Sequence, residues 1–267
     1  GCTLPIYANT DILVLGGGMA GVSVATTVAK AGRDVLLVTP ETSLGREITA
    51  FLTPWALAGK KDLPPLLAQI LSKSQLHTDF CLHLGELKRQ LEDVLLEHSV
   101  RFVYGSWPSG VAQQGDELRG VVIGNKSGLQ VVLANTVVDT TPHAYSAQVC
   151  GLPWSNRQSL PVAKSIGLTL EFTHVEGTPT LEPWGAVEQV IVHPGYGERG
   201  HVYLECEVST EVIAYDAISQ EMHRLARGIV ETLRNEHIAF RGSAWISTSL
   251  EPRMIGPVRV HSPEASL

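Results

Sequence analysis

The pattern of apolar residues predicts that strands and helices alternate in the first half of the chain. Residues 12–15 and 35–38 are short, continuous apolar runs, as expected of strands buried in a parallel sheet. Between them, residues 22–32 carry apolar side chains at helical spacing and end at a glycine. A further run over residues 100–105 predicts the next parallel strand. Strand, helix and strand in this order are typical of a βαβ unit.

The segments between these runs predict two further helices and a β-meander. Residues 45–60 are mixed in character and precede a helix expected over residues 63–72. The next helix is amphipathic, with an apolar face formed by Leu87, Leu91, Val94 and Leu95. Three short β-runs between residues 111 and 138 predict a meander, after which residues 137–139 return the chain to the main sheet.

The pattern changes after residue 150, where proline, glycine and tryptophan punctuate shorter apolar runs. These runs predict a largely antiparallel region with strands at residues 166–173, 187–193 and 201–208. A long amphipathic helix follows over residues 213–237. We therefore divide the chain into residues 1–150 and residues 151–267.

A glycine-rich turn follows the first predicted strand. Gly16, Gly18 and Gly21 have the G-x-G-x-x-G spacing and open the first helix. In that fingerprint the glycines allow a tight turn, a close approach of the backbone to a pyrophosphate, and close packing of helix on strand. The helix N-terminus adds free N–H groups and a partial positive charge. The sequence therefore predicts that this region binds a dinucleotide, with a purely structural turn as the alternative.

The end of the second strand departs from this fingerprint. An acidic residue usually stands there and binds the ribose, but this chain has Thr39, and Glu41 follows two residues later. Thr39 can exchange one hydrogen bond with a ribose but lacks a bidentate carboxylate. We expect Glu41 to lie on a solvated turn, with ribose binding as the alternative. NADP is not favoured, because the nearest cation, Arg46, lies seven residues beyond Thr39.

Composition and charge narrow the classes of function. With 267 residues, 44% of them hydrophobic and 18% charged, the chain has the composition of an ordinary globular protein. Its net charge of −7 argues against a nucleic-acid partner. No apolar run approaches the roughly 18 residues that a membrane span needs.

The cysteines and the N-terminus bear on the compartment. Cys2, Cys81, Cys150 and Cys206 are widely spaced, which favours free thiols in a reducing, cytoplasmic compartment. No cluster of His, Cys and Asp has zinc-ligand spacing, so no metal is expected. The chain begins at Gly1 without methionine, which indicates processing or an expression tag.

Four segments occur in an order that is typical of one enzyme family. They are Val14–Gly21, then Leu44–Glu47 where that family has a Gly-Gly near the flavin, the meander-like run Gly120–Gln130, and Pro252–Gly256. The chain thereby resembles the FAD-dependent oxidoreductases of the two-dinucleotide-binding-domain flavoprotein type. The resemblance implies an α/β fold, with a Rossmann-like FAD-binding domain carrying a β-meander insertion at residues 1–150. A smaller α+β substrate or subunit-interaction region is implied at residues 151–267.

The resemblance also implies FAD as the cofactor and a set of contacts to it. Gly16, Gly18 and Gly21 would bind the pyrophosphate, and Thr39 would lie near the adenosine ribose. The other implied contacts are Gly45, Arg46 and Glu47 near the ribityl chain or isoalloxazine, Trp107 near the adenine, and Thr141. From the residues alone, a surface ion pair suits Arg46 equally well and a place in the core suits Trp107. No histidine is singled out as a general base; His77, His83, His98 and His143 are expected in structural or surface roles.

Two departures from the family concern completeness of the site. The second flavin-contacting turn of the family, Asp-Ala-Thr-Gly-Asp, is here Asp139–His143, in which Pro142 removes a backbone N–H donor. Family members also continue well past the Ile255–Gly256 run, whereas this chain ends at Leu267. The missing part would come from a second protein chain, from the other half of a cleaved precursor, or not at all.

The sequence predicts an FAD-dependent dehydrogenase chain that acts as one subunit or fragment of a larger assembly. It would move a hydride between the flavin and a small organic substrate, such as an alcohol, an amine or a sugar-like compound. The alternative is a subunit of the same fold that has lost the cofactor and supports a catalytic partner. A nicotinamide-dependent dehydrogenase is a further alternative, against which the meander and the resemblance argue.

Overall fold

The computed structural model divides the chain into two compact units. The first comprises Gly1–Arg46, Lys88–Asn156 and Pro257–Leu267, and the second comprises Glu47–Leu87 and Arg157–Gly256. The described residues are 3–57, 63, 65–72, 81–114, 117–142, 144, 154–155, 162–171, 173, 175–176, 179–196, 200–210, 215–254 and 259–260. Residues 47–87 therefore group with the second unit, although they precede the boundary that the sequence pattern places at residue 150. The division of binding roles between the two regions stays a prediction.

The first unit is built on a six-stranded sheet. Its strands are β1 (Ile6–Leu15), β2 (Val35–Val38), β3 (Arg101–Val103), β4 (Trp107–Gln114), β5 (Glu117–Asn125) and β6 (Gly128–Asp139). They lie in the order β3-β2-β1-β6-β5-β4. The first four of this order are parallel, and β6, β5 and β4 are antiparallel. The predicted Rossmann-like sheet with a β-meander is confirmed.

In the described part of the chain, the four longer helices lie where the periodicity predicts them, and three short ones were not predicted. They are α1 (Met19–Lys30), α2 (Arg46–Thr49), α3 (Pro65–Ser72), α4 (Leu84–Glu97) and α5 (Tyr215–Glu236), with short 3₁₀ helices at Pro54–Leu57 and Ile238–Phe240. In α4 the four predicted apolar positions are buried, each at most 1% exposed. All four residues of β2 are buried as well, which explains its continuous apolar run.

The meander and the parallel sheet share one strand, where the sequence pattern predicts separate ones. β6 pairs with β5 from Gly128 to Leu133 and with β1 from Val131 to Asp139, without a break between the two ladders. Asn135 and Thr136 are exposed in its middle, so the apolar pattern lapses there although the strand continues.

The second unit is built on an antiparallel sheet, as predicted. Its strands are β8 (Val162–Glu171), β9 (Thr180–Leu181), β10 (Val187–Pro194), β11 (Val202–Thr210), β12 (Ala244–Thr248) and β13 (Arg253–Met254). They lie in the order β12-β8-β11-β10-β9, and β13 also pairs with β8. Two short strands, β7 (Trp154–Ser155) and β14 (Arg259–Val260), pair with each other in the first unit.

The core of the second unit lies between α5 and one face of its sheet. On β11, the residues Val202, Leu204, Cys206 and Val208 are buried in this core. Alternate residues of a strand point to opposite faces, so Tyr203 and Glu205 belong to the other face. The helix contributes Ile218, Met222, Ala226, Ile229, Val230 and Leu233.

Two further sequence predictions concern cysteines and membrane spans. Cys81 and Cys206 are buried free thiols, as predicted, and Cys2 and Cys150 lie outside the described residues. Within the described part of the chain, no helix is long and apolar enough to cross a membrane.

Candidate cofactor site

The glycine turn, residues 16–21, connects β1 to α1 and leaves no room for side chains at Gly16, Gly17 and Gly21. Gly16 has φ +104°, a conformation that favours glycine. A Cβ on Gly21 would lie 1.9 Å from the carbonyl oxygen of Gly16, and one on Gly17 would lie 2.7 Å from Thr39 Oγ1. The turn therefore packs α1 closely against the end of β1, and its glycines place no side chains over the backbone of the turn.

The N-terminus of α1 has features that favour an anion. Gly18 is its N-cap residue, with no side-chain hydrogen bond capping the helix and no acidic residue in the first turn. The first N–H groups of a helix have no partner within it and carry a partial positive charge. A phosphate placed there would find donors and a favourable field.

This turn lies at the point where the strand order of the sheet reverses. The chain runs from β1 outward to β2 and β3, and the next parallel strand, β6, pairs with the opposite side of β1. Ligands of open α/β sheets bind at such points, beyond the carboxyl ends of the strands. Thr140, which follows β6, donates its hydroxyl to the carbonyl of Leu15 at 2.7 Å and thereby joins the two strand ends.

Thr39 supports the glycine turn from the end of β2. Its side chain is fully buried, and its hydroxyl accepts the N–H of Gly17 at 2.9 Å while donating to the carboxylate of Glu41. The hydroxyl's only hydrogen and one of its two lone pairs are thus used within the protein. The arrangement makes Thr39 a support of the turn, and its predicted place at the ribose stays a prediction.

Glu41 is not on a solvated turn, contrary to the sequence-based expectation. Its side chain is only 10% exposed and forms an ion pair with Arg46, whose Nε lies 3.0 Å from Glu41 Oε1. Arg46 is itself buried, so this pair is not a surface contact. Because the chain turns back after residue 41, the guanidinium of Arg46 lies close to the end of β2, although Arg46 is seven residues beyond Thr39 in the sequence.

The other predicted contacts have different surroundings. Gly45 has φ +74° and donates its N–H to the carbonyl of Gly17 at 2.8 Å, which ties it to the glycine turn. Trp107 is half exposed and follows Ser106, whose N–H donates to the carbonyl of Thr39 at 3.0 Å. Glu47 falls in the second unit and is exposed.

The turn after β6 is held by its own carboxylate. Thr141 donates both its N–H, at 2.8 Å, and its hydroxyl, at 2.6 Å, to Oδ1 of Asp139. Pro142 follows and offers no N–H, and His143 lies outside the described residues. The strand ends thus bring together the glycine turn, Thr39, the Glu41–Arg46 pair and Thr141.

Sequence reasoning missed a polar and aromatic cluster in the second unit. The ring of His193 stacks on Trp55, with centroids 4.1 Å apart and planes 7° apart. His193 Nε2 lies 3.2 Å from Glu205 Oε2, and Arg253 donates to Glu205 Oε1 at 2.5 Å. The hydrogen bond from His193 and the charge of Arg253 hold the pKa of Glu205 below its usual range, against the effect of burial.

Aromatic residues and a thiol continue this cluster. Tyr203 packs with Cys81 and Leu52, and its ring contacts Trp55 and His201. Burial raises the pKa of the Cys81 thiol to about 12, so this cysteine is protonated at neutral pH and is not an activated nucleophile. The signal in the sequence was the alternation on β11, where Tyr203 and Glu205 interleave with apolar residues.

Fold and turn define a dinucleotide-binding protein of the Rossmann type. Residues 11–161, more than half of the chain, match the family described as FAD dependent oxidoreductase. The chain belongs to this family, and FAD is its cofactor, as the resemblance implied. No curated protein sequence matches the chain.

Solved structures share the fold at low sequence identity. A geranylgeranyl bacteriochlorophyll reductase-like protein of Thermoplasma acidophilum is 14% identical, with TM-score 0.64, over 93% of this chain and 67% of that one. The myxobacterial chondrochloren halogenase CndH is 16% identical, with TM-score 0.61, over 95% and 64%. The p-nitrophenol 4-monooxygenase PnpA of Pseudomonas putida is 12% identical, with TM-score 0.57, over 93% and 68%. The chain thus spans about two thirds of their length.

The residues of the first unit fit FAD at its pyrophosphate. The glycine turn offers bare backbone at the N-terminus of α1, and the Cβ positions of Gly16, Gly17 and Gly21 are closed by neighbouring atoms. At the ribose the chemistry of the site differs from the usual pattern, since the carboxylate belongs to Glu41 and is already paired with Arg46. Among the described residues, no group of His, Cys, Asp and Glu side chains could hold a metal ion.

Proposed function

We propose that this chain is an FAD-dependent oxidoreductase that moves a hydride between the flavin and a small organic substrate. The observation that carries the proposal is the glycine turn, in which Gly21 packs against the carbonyl of Gly16 at the strand-order reversal. When bound, FAD supplies the two-electron chemistry. The chain's own residues bind and orient it.

Each predicted contact has a role in this proposal. Gly16, Gly18 and Gly21 hold the pyrophosphate at the N-terminus of α1, and Trp107 lies by the adenine. Thr39 and Thr141 shape the strand ends near the ribose and the second turn. Gly45, Arg46 and Glu47 stand nearer the ribityl chain or isoalloxazine.

FAD titration of the purified chain tests cofactor binding. We expect quenching of flavin fluorescence at a stoichiometry of one, and its loss in Gly21→Ala, because the new Cβ collides with Gly16. Gly228→Ala is the matched control, since a Cβ at Gly228 meets no atom within 4 Å. Equal FAD affinity in the two variants would contradict the proposed site.

The direction of electron flow is tested by anaerobic bleaching of the bound flavin. In the dehydrogenase proposal, a panel of alcohols, amines and sugars contains a compound that bleaches the blue absorbance on its own. Bleaching by NADH or NADPH alone, with no response to any member of the panel, would instead place this chain with flavin enzymes that receive their electrons from a nicotinamide. The structural relatives include a monooxygenase and a halogenase.

A scaffold subunit without cofactor is the second candidate. It is favoured by one observation, the engagement of the Thr39 hydroxyl with Gly17 and Glu41. Both candidate functions are compatible with a partner chain that completes the site. Copurification of a yellow partner with a colourless chain would support the scaffold, whereas one-to-one FAD binding by the isolated chain would oppose it.

A further inference from the structure

We propose that Glu41 accepts hydrogen bonds from the adenosine ribose of FAD, and that Thr39 and Arg46 position its carboxylate. The inference rests on the proposed placement of the FAD pyrophosphate at the glycine turn, and all three residues lie in the first unit. The usual position of a ribose-binding acid is the end of the second strand, and in this chain Thr39 occupies it. Glu41 supplies a carboxylate from two residues further along.

Hydrogen bonds connect the carboxylate of Glu41 to the glycine turn. Thr39 Oγ1 accepts the N–H of Gly17 at 2.9 Å and donates to Glu41 Oε2, so one hydroxyl group separates the carboxylate from the backbone of the turn. In FAD the adenosine ribose is bonded directly to the pyrophosphate. A pyrophosphate held at the turn therefore brings this ribose to the edge of the sheet where the carboxylate lies.

The backbone of residues 39–41 stays at this edge of the sheet. The carbonyl of Thr39 accepts the N–H of Ser106 at 3.0 Å, and the carbonyl of Glu41 accepts the N–H of Gly105 at 3.2 Å. Both donors follow β3, the neighbour of β2. The chain thus passes along the carboxyl ends of β2 and β3, where ligands of open α/β sheets bind.

Glu41 retains acceptor capacity after its contacts within the protein are counted. A carboxylate has about four lone-pair sites on its two oxygens. Arg46 Nε pairs with Oε1 at 3.0 Å, and the Thr39 hydroxyl donates to Oε2, which occupies one site on each oxygen. One site on each oxygen remains, and the two neighbouring hydroxyls of a ribose need two acceptors.

Arg46 and Thr39 fix the carboxylate before any ligand arrives. The side chains of Glu41 and Arg46 are 10% and 8% exposed, and a charge so far removed from water needs a partner. The planar, permanently charged guanidinium compensates the carboxylate and also orients it. An acceptor that is already in place loses little conformational freedom when the ribose binds. Arg46 pairs through Nε, which leaves its predicted contact with the ribityl chain or isoalloxazine to the terminal nitrogens.

Two other acidic residues near the strand ends are placed differently. Asp139 ends β6, on the opposite side of β1 from β2, and its Oδ1 accepts both donors of Thr141. Glu47 is exposed and belongs to the second unit. Among these three carboxylates, Glu41 is therefore the one at the end of β2.

The test removes single hydroxyl groups from the cofactor. Analogues of FAD that contain 2′-deoxyadenosine or 3′-deoxyadenosine can be titrated into the full chain by quenching of flavin fluorescence. We expect the wild type to bind FAD roughly tenfold or more tightly than at least one analogue, because a hydrogen bond to a charged acceptor is lost. Equal affinity for FAD and both analogues would overturn the inference.

Glu41→Gln assigns this preference to the carboxylate. The amide is neutral and a weaker acceptor, so the preference for FAD over the analogue should fall several-fold. Asp34→Asn is the matched control, since Asp34 pairs with Arg101 at 2.7 Å directly before the other end of β2, and its preference should equal that of the wild type. An unchanged preference in Glu41→Gln would give the hydroxyls to another acceptor and overturn the inference.

Conservative variants test the two positioning residues. Thr39→Val removes the donor to Glu41 and should lower the preference, whereas Thr39→Ser keeps the hydroxyl and should retain it. Arg46→Lys keeps a charge without the planar group and should lower the preference as well. A residue that only supports the fold would weaken the binding of FAD and of its analogues by the same factor, which would overturn its positioning role.

These readouts separate the failure of this inference from failure of the proposed function. If the wild type binds FAD without regard to the ribose hydroxyls, the inference is wrong and the proposed function stands. If the wild type does not bind FAD at all, the proposed function fails and the inference fails with it. Should Glu41→Gln not fold, the wild-type comparison and the two Thr39 variants, which keep the Glu41–Arg46 pair, still decide the inference.

Discussion

At the scale of single residues, the polar side chains of Thr39, Glu41 and Arg46 stabilise the region of the glycine turn. Their positions in the sequence do not reveal this role. The glycine spacing identified the turn because steric limits on backbone approach are local and leave a local signature. The pairing of Glu41 with Arg46 has no such signature, since it depends on the path of residues 42–45. Side-chain partners that a loop brings together must therefore be read from the structure.

The first prediction concerns Thr39→Val, which removes the hydroxyl and keeps the shape. The N–H of Gly17 then loses its acceptor and the carboxylate of Glu41 loses a donor, so we expect the free energy of unfolding of the cofactor-free chain to fall by about 1–3 kcal/mol. Urea unfolding measures this. The control is Thr27→Val, whose hydroxyl bonds the Ser23 carbonyl at an exposed site of α1.

This prediction also separates two roles of Thr39. If the residue supports the glycine turn, the cofactor-free chain is destabilised. An unchanged stability together with weaker FAD binding would instead make Thr39 a ribose contact, as the resemblance implied.

At the scale of elements, helices and buried strands were predictable because their periodicity comes from one packing partner. The four apolar positions of α4 and the continuous run of β2 were located correctly for this reason. β6 was not, because its two ends pair with different strands and its exposed middle interrupts the pattern. A strand that pairs with different neighbours at its two ends has a different apolar pattern at each end. An analysis that looks for one period therefore predicts two strands instead of one.

The second prediction concerns α5, which keeps a glycine in its interior. Gly228 is exposed and has open space around its Cβ position. Gly228→Ala should raise the free energy of unfolding by roughly 0.5–1 kcal/mol, because alanine loses less conformational freedom in a helix. Thermal and urea unfolding measure the change. A destabilised variant would mean that the exposed face of α5 is in contact with something that the bare helix does not show.

At the scale of the whole molecule, the contacts of Glu205 with His193 and Arg253 make the stability of the fold depend on pH. The pKa of Glu205 is lowered in the folded state, chiefly by the hydrogen bond from His193 and with a contribution from Arg253. A carboxyl group of lowered pKa contributes stability above its unfolded pKa, near 4.5, and loses that contribution as pH falls through the folded value. The stabilisation by Glu205 is therefore present at neutral pH, and only its loss is confined to acid pH.

The third prediction follows from this sign. Wild type should be more stable than Glu205→Gln at neutral pH, and the difference should shrink as pH falls below the ordinary glutamate range near 4.5. Urea unfolding at a series of pH values measures it. Glu207→Gln serves as the control and should give no comparable pH-dependent difference. A gap between wild type and Glu205→Gln that widens towards acid would reverse the assigned direction.

The fourth prediction uses FAD to find which unit carries the cofactor. A ligand that binds only the folded state stabilises the region it contacts, by about 2.7 kcal/mol at a hundredfold excess over its dissociation constant. Hydrogen exchange with and without FAD should therefore show added protection in α1, β2 and the turn at residues 139–142, which belong to the first unit. Amides of α5 should change little, since local stabilities differ across a structure.

Segment 47–87 discriminates between the two divisions of the chain. If the boundary lies at residue 150, as the sequence predicts, FAD should protect the amides of this segment. If the segment belongs to the second unit, FAD should protect only those of its residues that touch the cofactor. Uniform protection of both units would mean that they unfold as one cooperative body.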